Sequence, residues 1–170
     1  MQPQDSVTQI IQSSRAQADL LAELEKFRRT ITVMFTDIKG STAYFEKYGD
    51  VAGMMMVHQC NDMLRQIVEK HTGRVIKTIG DAIMATFEDC KESIIAAIEM
   101  QKALIVFNAP KPEQDHVFIR IGLNYGAGIV KSNDVFGDVV NVASRVESVA
   151  SPEQIVISDT LNQQVAMRRT

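Results

Sequence analysis

Apolar residues recur at helical spacing over residues 6–29, where Val7, Ile11, Ser14, Ala18 and Leu21 share one side and Leu24 and Phe27 extend it. The stretch holds no Gly or Pro and predicts one helix with Ser6 as its cap. Its 4-3 repeat is too short to specify a coiled coil and fits a signalling or linker helix leading into a domain. From Thr30 the pattern switches to short β-branched runs alternating with longer helical ones. A strand is predicted over 30–36, a loop at 37–41, a short helix at 42–47 and a longer one over 50–71. The longer helix should turn Met54, Val57, Asn61, Leu64 and Val68 inward and end before Gly73. Strands at 74–79 and 82–87 flank Gly80-Asp81 and make a β-hairpin. A helix over 90–107 is expected to bury Ile94, Ile98 and Ile105. Beyond the loop at 108–112 come strands at 117–123 and 128–131 and a helix over 138–149, broken by Ser151-Pro152. A strand at 155–157 and a terminal helix complete the chain.

Strand, helix, paired strands, helix, strand is the ferredoxin-like βαββαβ order. The expected class is α+β, one antiparallel sheet with helices covering one face, preceded by the N-terminal helix. Residues 1–29 form the linker helix and residues 30–170 the domain. Such a fold hosts many functions and assigns none.

Composition narrows the field. A 45% hydrophobic content supplies a proper core, and a net charge of −3 with mixed signs offers no broad basic surface for nucleic acid. Cys60 and Cys90 are too few for a disulfide framework and read as reduced, packed thiols. No apolar run reaches bilayer-crossing length, and the polar opening Met1–Ser6 is unlike a secretory signal, so no direct membrane insertion and a cytoplasmic setting are expected. A longer parent protein attached to a membrane stays compatible with this.

Two acidic residues stand at strand ends. Asp37 follows Ile31–Thr36, and Asp81 follows Val75–Gly80. A carboxylate at the end of a buried strand is costly unless a cation meets it. The first strand and the central hairpin are neighbours in this fold, so both carboxylates can converge. Paired hard oxygens suit Mg²⁺ or Mn²⁺, although each aspartate alone also fits a turn or cap. The loop Ile38-Lys39-Gly40-Ser41 presents successive N–H groups at a helix start, a place for anions, while Ser41 and Thr42 fit simple capping equally well. Asn141 and Arg145 lie four apart on one helix and so share a face. They could orient a ribose and neutralise a reacting phosphate. They fit equally an exposed polar stripe, with Arg145 paired to Glu147 or another carboxylate.

These stretches, from about Thr30 to Ala166, resemble the class III nucleotidyl cyclase catalytic domain, the family of adenylyl and guanylyl cyclases. The matching markers are Phe35-Thr36-Asp37-Ile38-Lys39-Gly40, then Lys77-Thr78-Ile79-Gly80-Asp81, then Gly137-Asp138-Val139-Val140-Asn141-Val142-Ala143-Ser144-Arg145. The resemblance implies that Asp37 and Asp81 bind two Mg²⁺ or Mn²⁺ ions per site. Lys77 and Asp134 fall at the base-selecting positions, and both suit ATP. Asn141 would orient the ribose and Arg145 stabilise charge on the α-phosphate. Arg120 matches a phosphate-contacting arginine in some members, or else is a strand arginine facing solvent. The resemblance further implies a homodimer with shared active sites. Asp37, Asp81 and Arg120 of one subunit would face Lys77, Asp134, Asn141 and Arg145 of the other.

The sequence departs from the family in three places. Ser41 stands where many relatives have phenylalanine, a tolerable change if only the backbone there meets phosphate. The segment between Gly122 and Asp134 is short, so the arm that some relatives wrap around their partner is trimmed. The expected C-terminal hairpin, with its triphosphate-reaching lysine, has no counterpart in Ala166–Thr170, which predicts lowered activity for this stretch of chain. A cyclase-like module that only binds nucleotide or dimerises is the alternative function. A diguanylate cyclase is disfavoured because Ile79-Gly80-Asp81-Ala82 replaces its hairpin signature.

Overall fold

The computed structural model describes residues 3–168. Helix α1 (Pro3–Glu25) ends earlier than expected, and a turn leads into strand β1 (Arg28–Lys39). The backbone at Ser6 is already helical, and its side chain lies outside the described residues. Ile10, Ile11, Leu20 and Leu21 of α1 are exposed.

Strand β1 is longer than the predicted 30–36 and carries Asp37 inside it rather than on a loop. Its residues 31–36 are buried without alternation because both faces of the sheet are covered. Helix α2 (Ser41–Lys70) kinks at Gly49, whose φ of 82° no helix accommodates, so the two expected helices are present as one broken rod. Its buried side is Met56, Cys60, Asn61, Leu64, Ile67 and Val68. Met54 points outward, 67% exposed, against expectation. Strands β2 (Arg74–Ile79) and β3 (Ala82–Phe87) form the expected hairpin, with Gly80 at φ +61° in its tip.

Helix α3 (Cys90–Asn108) starts at an Asp89 cap and buries Ser93, Ala96, Ala97, Met100 and Leu104. Ile98 and Ile105 are exposed, so the inward face is this side and not the one that carries those two isoleucines. A single strand β4 (Phe118–Lys131) replaces the two strands predicted there, and β5 (Asp134–Phe136), α4 (Asp138–Ser148), β6 (Ile155–Ile157) and α5 (Asp159–Met167) follow.

The sheet runs β2-β3-β1-β4-β5, with these neighbours antiparallel, and β6 pairs with β4 in parallel. This is the ferredoxin-like order. The helices do not all lie on one face. Met34, Ile38, Leu64, Val68, Phe87, Met100, Ile121 and Leu161 form the larger core. Ile31, Val33, Phe35, Met84 and Val135 form a second cluster with Val139 and Ala143 of α4 on the opposite face. Period-2 alternation along β1 places Asp37 on this α4 side. No helix among the described residues is long and apolar enough to cross a membrane.

Candidate active site

Asp37 and Arg120 are register partners across β1 and β4. Asp37 Oδ2 accepts from Arg120 Nε at 3.0 Å, and Arg120 Nη2 and Lys39 Nζ also lie 3.0 Å from it. Arg120 is therefore not a solvent-facing strand residue. Its Nε also meets the Glu147 carboxylate, and its Nη1 donates to the Ser148 carbonyl at 3.1 Å. Glu147, on the inner side of α4, is buried, and burial raises its carboxyl from the ordinary value while Arg120 pulls it back. The sequence reading missed Glu147 in this role, offering it only as a partner for Arg145. The period of α4 was a usable signal, since it sets Glu147 in line with buried Ala143 and Val139, four and eight positions earlier.

Asp81 stands at the hairpin tip and accepts a hydrogen bond from the Ser41 hydroxyl at 2.6 Å. Burial pushes its carboxyl above the usual carboxylate range, Ser41 opposes this, and the neighbouring Asp37 carboxylate raises it further. Two like charges are thus brought together. Gly40, at φ +88°, turns the chain from β1 into α2, and α2 starts without a side-chain cap. Its first N–H groups thus have no capping oxygen, and the Ser41 side chain serves Asp81 rather than the helix. Ile38 is buried in the larger core, so only its backbone can face a ligand.

The other predicted residues gather separately. Lys77 Nζ lies 3.0 and 2.9 Å from the two Asp134 carboxylate oxygens. This bond, and the Val135 N–H at 2.8 Å, hold the Asp134 carboxyl below its ordinary value. Asn141 and Arg145 sit on the exposed side of α4. Arg145 lies 3.8 Å from Asp138, both widely exposed, which is a weak pair. The contacts found among the described residues thus fall into two groups, Asp37, Asp81, Arg120, Lys39 and Ser41 in one and Lys77 with Asp134 in the other.

No cluster of three or more Asp, Glu, His or Cys side chains suited to a metal occurs among the described residues. A carboxylate pair beside free backbone N–H groups nevertheless fits Mg²⁺ or Mn²⁺. Such ions keep several waters and use one or two carboxylates plus substrate phosphates rather than an all-protein cage. The donor set is hard oxygen throughout.

The profile of the adenylate and guanylate cyclase catalytic domain matches residues 24–168. An adenylate cyclase of Anabaena cylindrica is 31% identical over 137 residues, covering 71% of this chain and 27% of its own length. The receptor-type guanylate cyclase gcy-23 of Caenorhabditis elegans is 31% identical over 142 residues, covering 75% of this chain and 13% of its own. The crystal structure of the adenylyl cyclase CyaB from P. aeruginosa superposes with a TM-score of 0.73 at 25% identity, covering 82% of both chains. The chain spans about a quarter or less of the length of the first curated relatives it matches. The chain belongs to the adenylate and guanylate cyclase catalytic-domain family.

Proposed function

We propose that this chain is an adenylate cyclase domain that converts ATP to 3′,5′-cyclic AMP and pyrophosphate at a homodimer interface. The observation that carries this reading is the convergence of Asp37 and Asp81 beside the Gly40 turn, where burial first and the neighbouring Asp37 carboxylate with it raise Asp81. Divalent ions held there would acidify the ribose 3′-hydroxyl and neutralise charge on the triphosphate. The Gly40 turn and the uncapped start of α2 would together hold phosphate oxygens through Lys39, Gly40 and Ser41 backbone N–H groups. Arg120 would add a guanidinium to the same phosphates.

Asp134 would accept from the adenine exocyclic amine, and Lys77 would donate to the ring. Guanine presents an acceptor where adenine presents that amine, so an ionised Asp134 disfavours it. Asn141 would orient the ribose. Arg145 would meet charge developing on the α-phosphate, and its loss would cost about 10²–10³ in turnover, as for other preorganised donors. The two contact groups of one chain support a head-to-tail dimer in which each site draws one group from either subunit. The family includes guanylate cyclases, so GTP is the competing substrate. The grip of Lys39 and Arg120 on Asp37 favours a second reading, a module that binds nucleotide without turnover.

Purified protein incubated with ATP, GTP, CTP or UTP and Mn²⁺ decides between them. Cyclic AMP formed by wild type and lost in Asp81→Ala supports the enzyme. Nucleotide bound with no cyclic product supports the module. Asp37→Ala and Arg145→Ala, each inactive alone, should regain activity when mixed, and failure where heterodimers form refutes shared sites.

A further inference from the structure

Arg120 and Asp37 face each other in the β1–β4 register, which keeps the guanidinium within reach of the carboxylate. A divalent cation bound to Asp37 would therefore share its surroundings with that guanidinium. We propose that Glu147 is a positioning residue, which holds Arg120 on α4 and so releases Asp37 to take the cation. This rests on the metal-binding reading above and assigns the residue that makes it workable.

Three anchors act on the guanidinium. Asp37 Oδ2 accepts the single Nε–H at 3.0 Å, the Glu147 carboxylate is ion-paired with the same Nε while its buried Oε1 accepts no hydrogen bond and so stands ready for that N–H, and the Ser148 carbonyl accepts from Nη1 at 3.1 Å. Two of the three belong to α4. An incoming cation displaces only the Asp37 contact, and the α4 anchors keep the guanidinium paired after that loss. The Glu147 side chain is 12% exposed, so its pairing is little screened by solvent. Lys39, the other cation on Asp37, needs no such anchor. Its side chain is 37% exposed on a flexible stem and can turn to water.

The close approach of α4 is built in at Gly122, two positions along β4 from Arg120. A Cβ there would lie 2.2 Å from the Glu147 backbone nitrogen, so only glycine lets the helix bring Glu147 onto the guanidinium.

Replacing the Glu147 charge acts twice in one direction. Arg120 stays on Asp37 for want of an anionic alternative, and its positive charge stands uncompensated beside the incoming ion. The test is Mn²⁺ binding by the nucleotide-free protein, read as free-ion electron paramagnetic resonance, with no turnover involved. The Mn²⁺ dissociation constant should rise about fivefold to tenfold in Glu147→Gln. Arg120→Ala should tighten Mn²⁺ binding, and adding Glu147→Gln to it should change nothing further. A Glu147→Gln protein with wild-type affinity overturns the proposal. An equal weakening with and without Arg120 also overturns it, since Glu147 would then act on the ion by its charge alone.

A second measurement uses the wild-type protein and needs no variant to fold. The Arg120 Nε–H NMR signal should shift as Mg²⁺ saturates the site, reporting loss of its Asp37 contact, and an unmoved signal overturns the proposal. A wild-type protein without an Asp81-dependent Mn²⁺ site sinks the metal reading and this proposal together. Normal Mn²⁺ binding with no Glu147 effect sinks the proposal alone.

Discussion

Gly122→Ala is the sharpest probe of how the fold holds the site. The added Cβ would sit 2.2, 2.3 and 2.6 Å from Glu147 N, Cα and Cβ. Two of these atoms are helix backbone, so no rotamer change relieves the clash. Ordinary contact requires roughly 3.5 Å or more between such atoms, so α4 must retreat from β4 by about 1 Å. Overpacking typically costs about 1–3 kcal/mol, and a backbone clash belongs at the upper end. Alanine returns about 0.5–1 kcal/mol through a less flexible unfolded chain, leaving a loss of about 2 kcal/mol. For a chain of this length that lowers the melting temperature by about 4–8 °C. The catalytic effect should be larger in proportion. Displacing α4 moves Glu147 off Arg120 and carries Asn141 and Arg145 with it, and a misplacement of about 1 Å can cost on the order of 10² in rate. Thermal unfolding by circular dichroism and cyclic nucleotide formation at 20 °C give both numbers. A folded Gly122→Ala protein with wild-type turnover would refute the argument, since α4 would not be seated against β4 as described.

Three further outcomes follow from single contacts. Lys77→Glu combined with Asp134→Cys should shift preference from ATP toward GTP, measured by product chromatography, and an unchanged ratio would move base selection elsewhere. His71 lies 2.7 Å from Glu92 and 2.7 Å from Glu99 through its two ring nitrogens. Its pKa is raised, first by Glu99 and then by Glu92, while Lys70 competes for Glu99 at 2.7 Å. A folded value above the unfolded one means that this clamp between α2 and α3 is fully present below the ordinary histidine pKa of ~6.5. It is lost as pH rises through the folded value, so the melting-temperature gap between wild type and His71→Gln should narrow from pH 6 to pH 9. A gap independent of pH would show that the imidazolium contributes nothing. Asp89→Ala removes the α3 cap, in which Asp89 accepts from the Lys91 and Glu92 N–H groups, and should cost about 1 kcal/mol in denaturant unfolding.

Local chemistry is where the sequence spoke plainly. Gly80 and Asp81 marked the hairpin tip, and both strands beside it run over the residues that alternation and turn chemistry suggest. Gly49 breaks α2 between the two expected helices. The sequence failed where a residue's environment is set by an element far along the chain. Two strands are expected at 117–123 and 128–131, yet β4 runs unbroken through Gly126 and Gly128, which lie against Val139 of α4, where a Gly128 Cβ would be only 2.9 Å from its Cγ1. Met54, Ile98 and Ile105 fit an inward stripe by period, but the sheet selects Met56, Ala97 and Leu104 instead. Periodicity names a face without saying what covers it, and so it could not show α4 crossing to the other side of the sheet.

The same limit shaped the reading of the site. The candidate residues can be named from their motifs, whereas the pairings Ser41–Asp81 and Lys77–Asp134 join positions 40 and 57 apart. Ion pairs alone do not separate function from structure here. Charges gathered for a triphosphate and its cations also satisfy one another, so Arg120 on Asp37 and Lys77 on Asp134 suit either account. The more telling feature is Asp81, which among the described residues has no cation on it and takes the Ser41 hydroxyl. Asp81 is partly buried against Asp37, and both burial and the like charge oppose its ionisation. Two neighbouring carboxylates on a strand end and a hairpin tip are what the proposed cation site would use. A divalent cation held between them would offset both the burial and the like charge that disfavour an ionised Asp81.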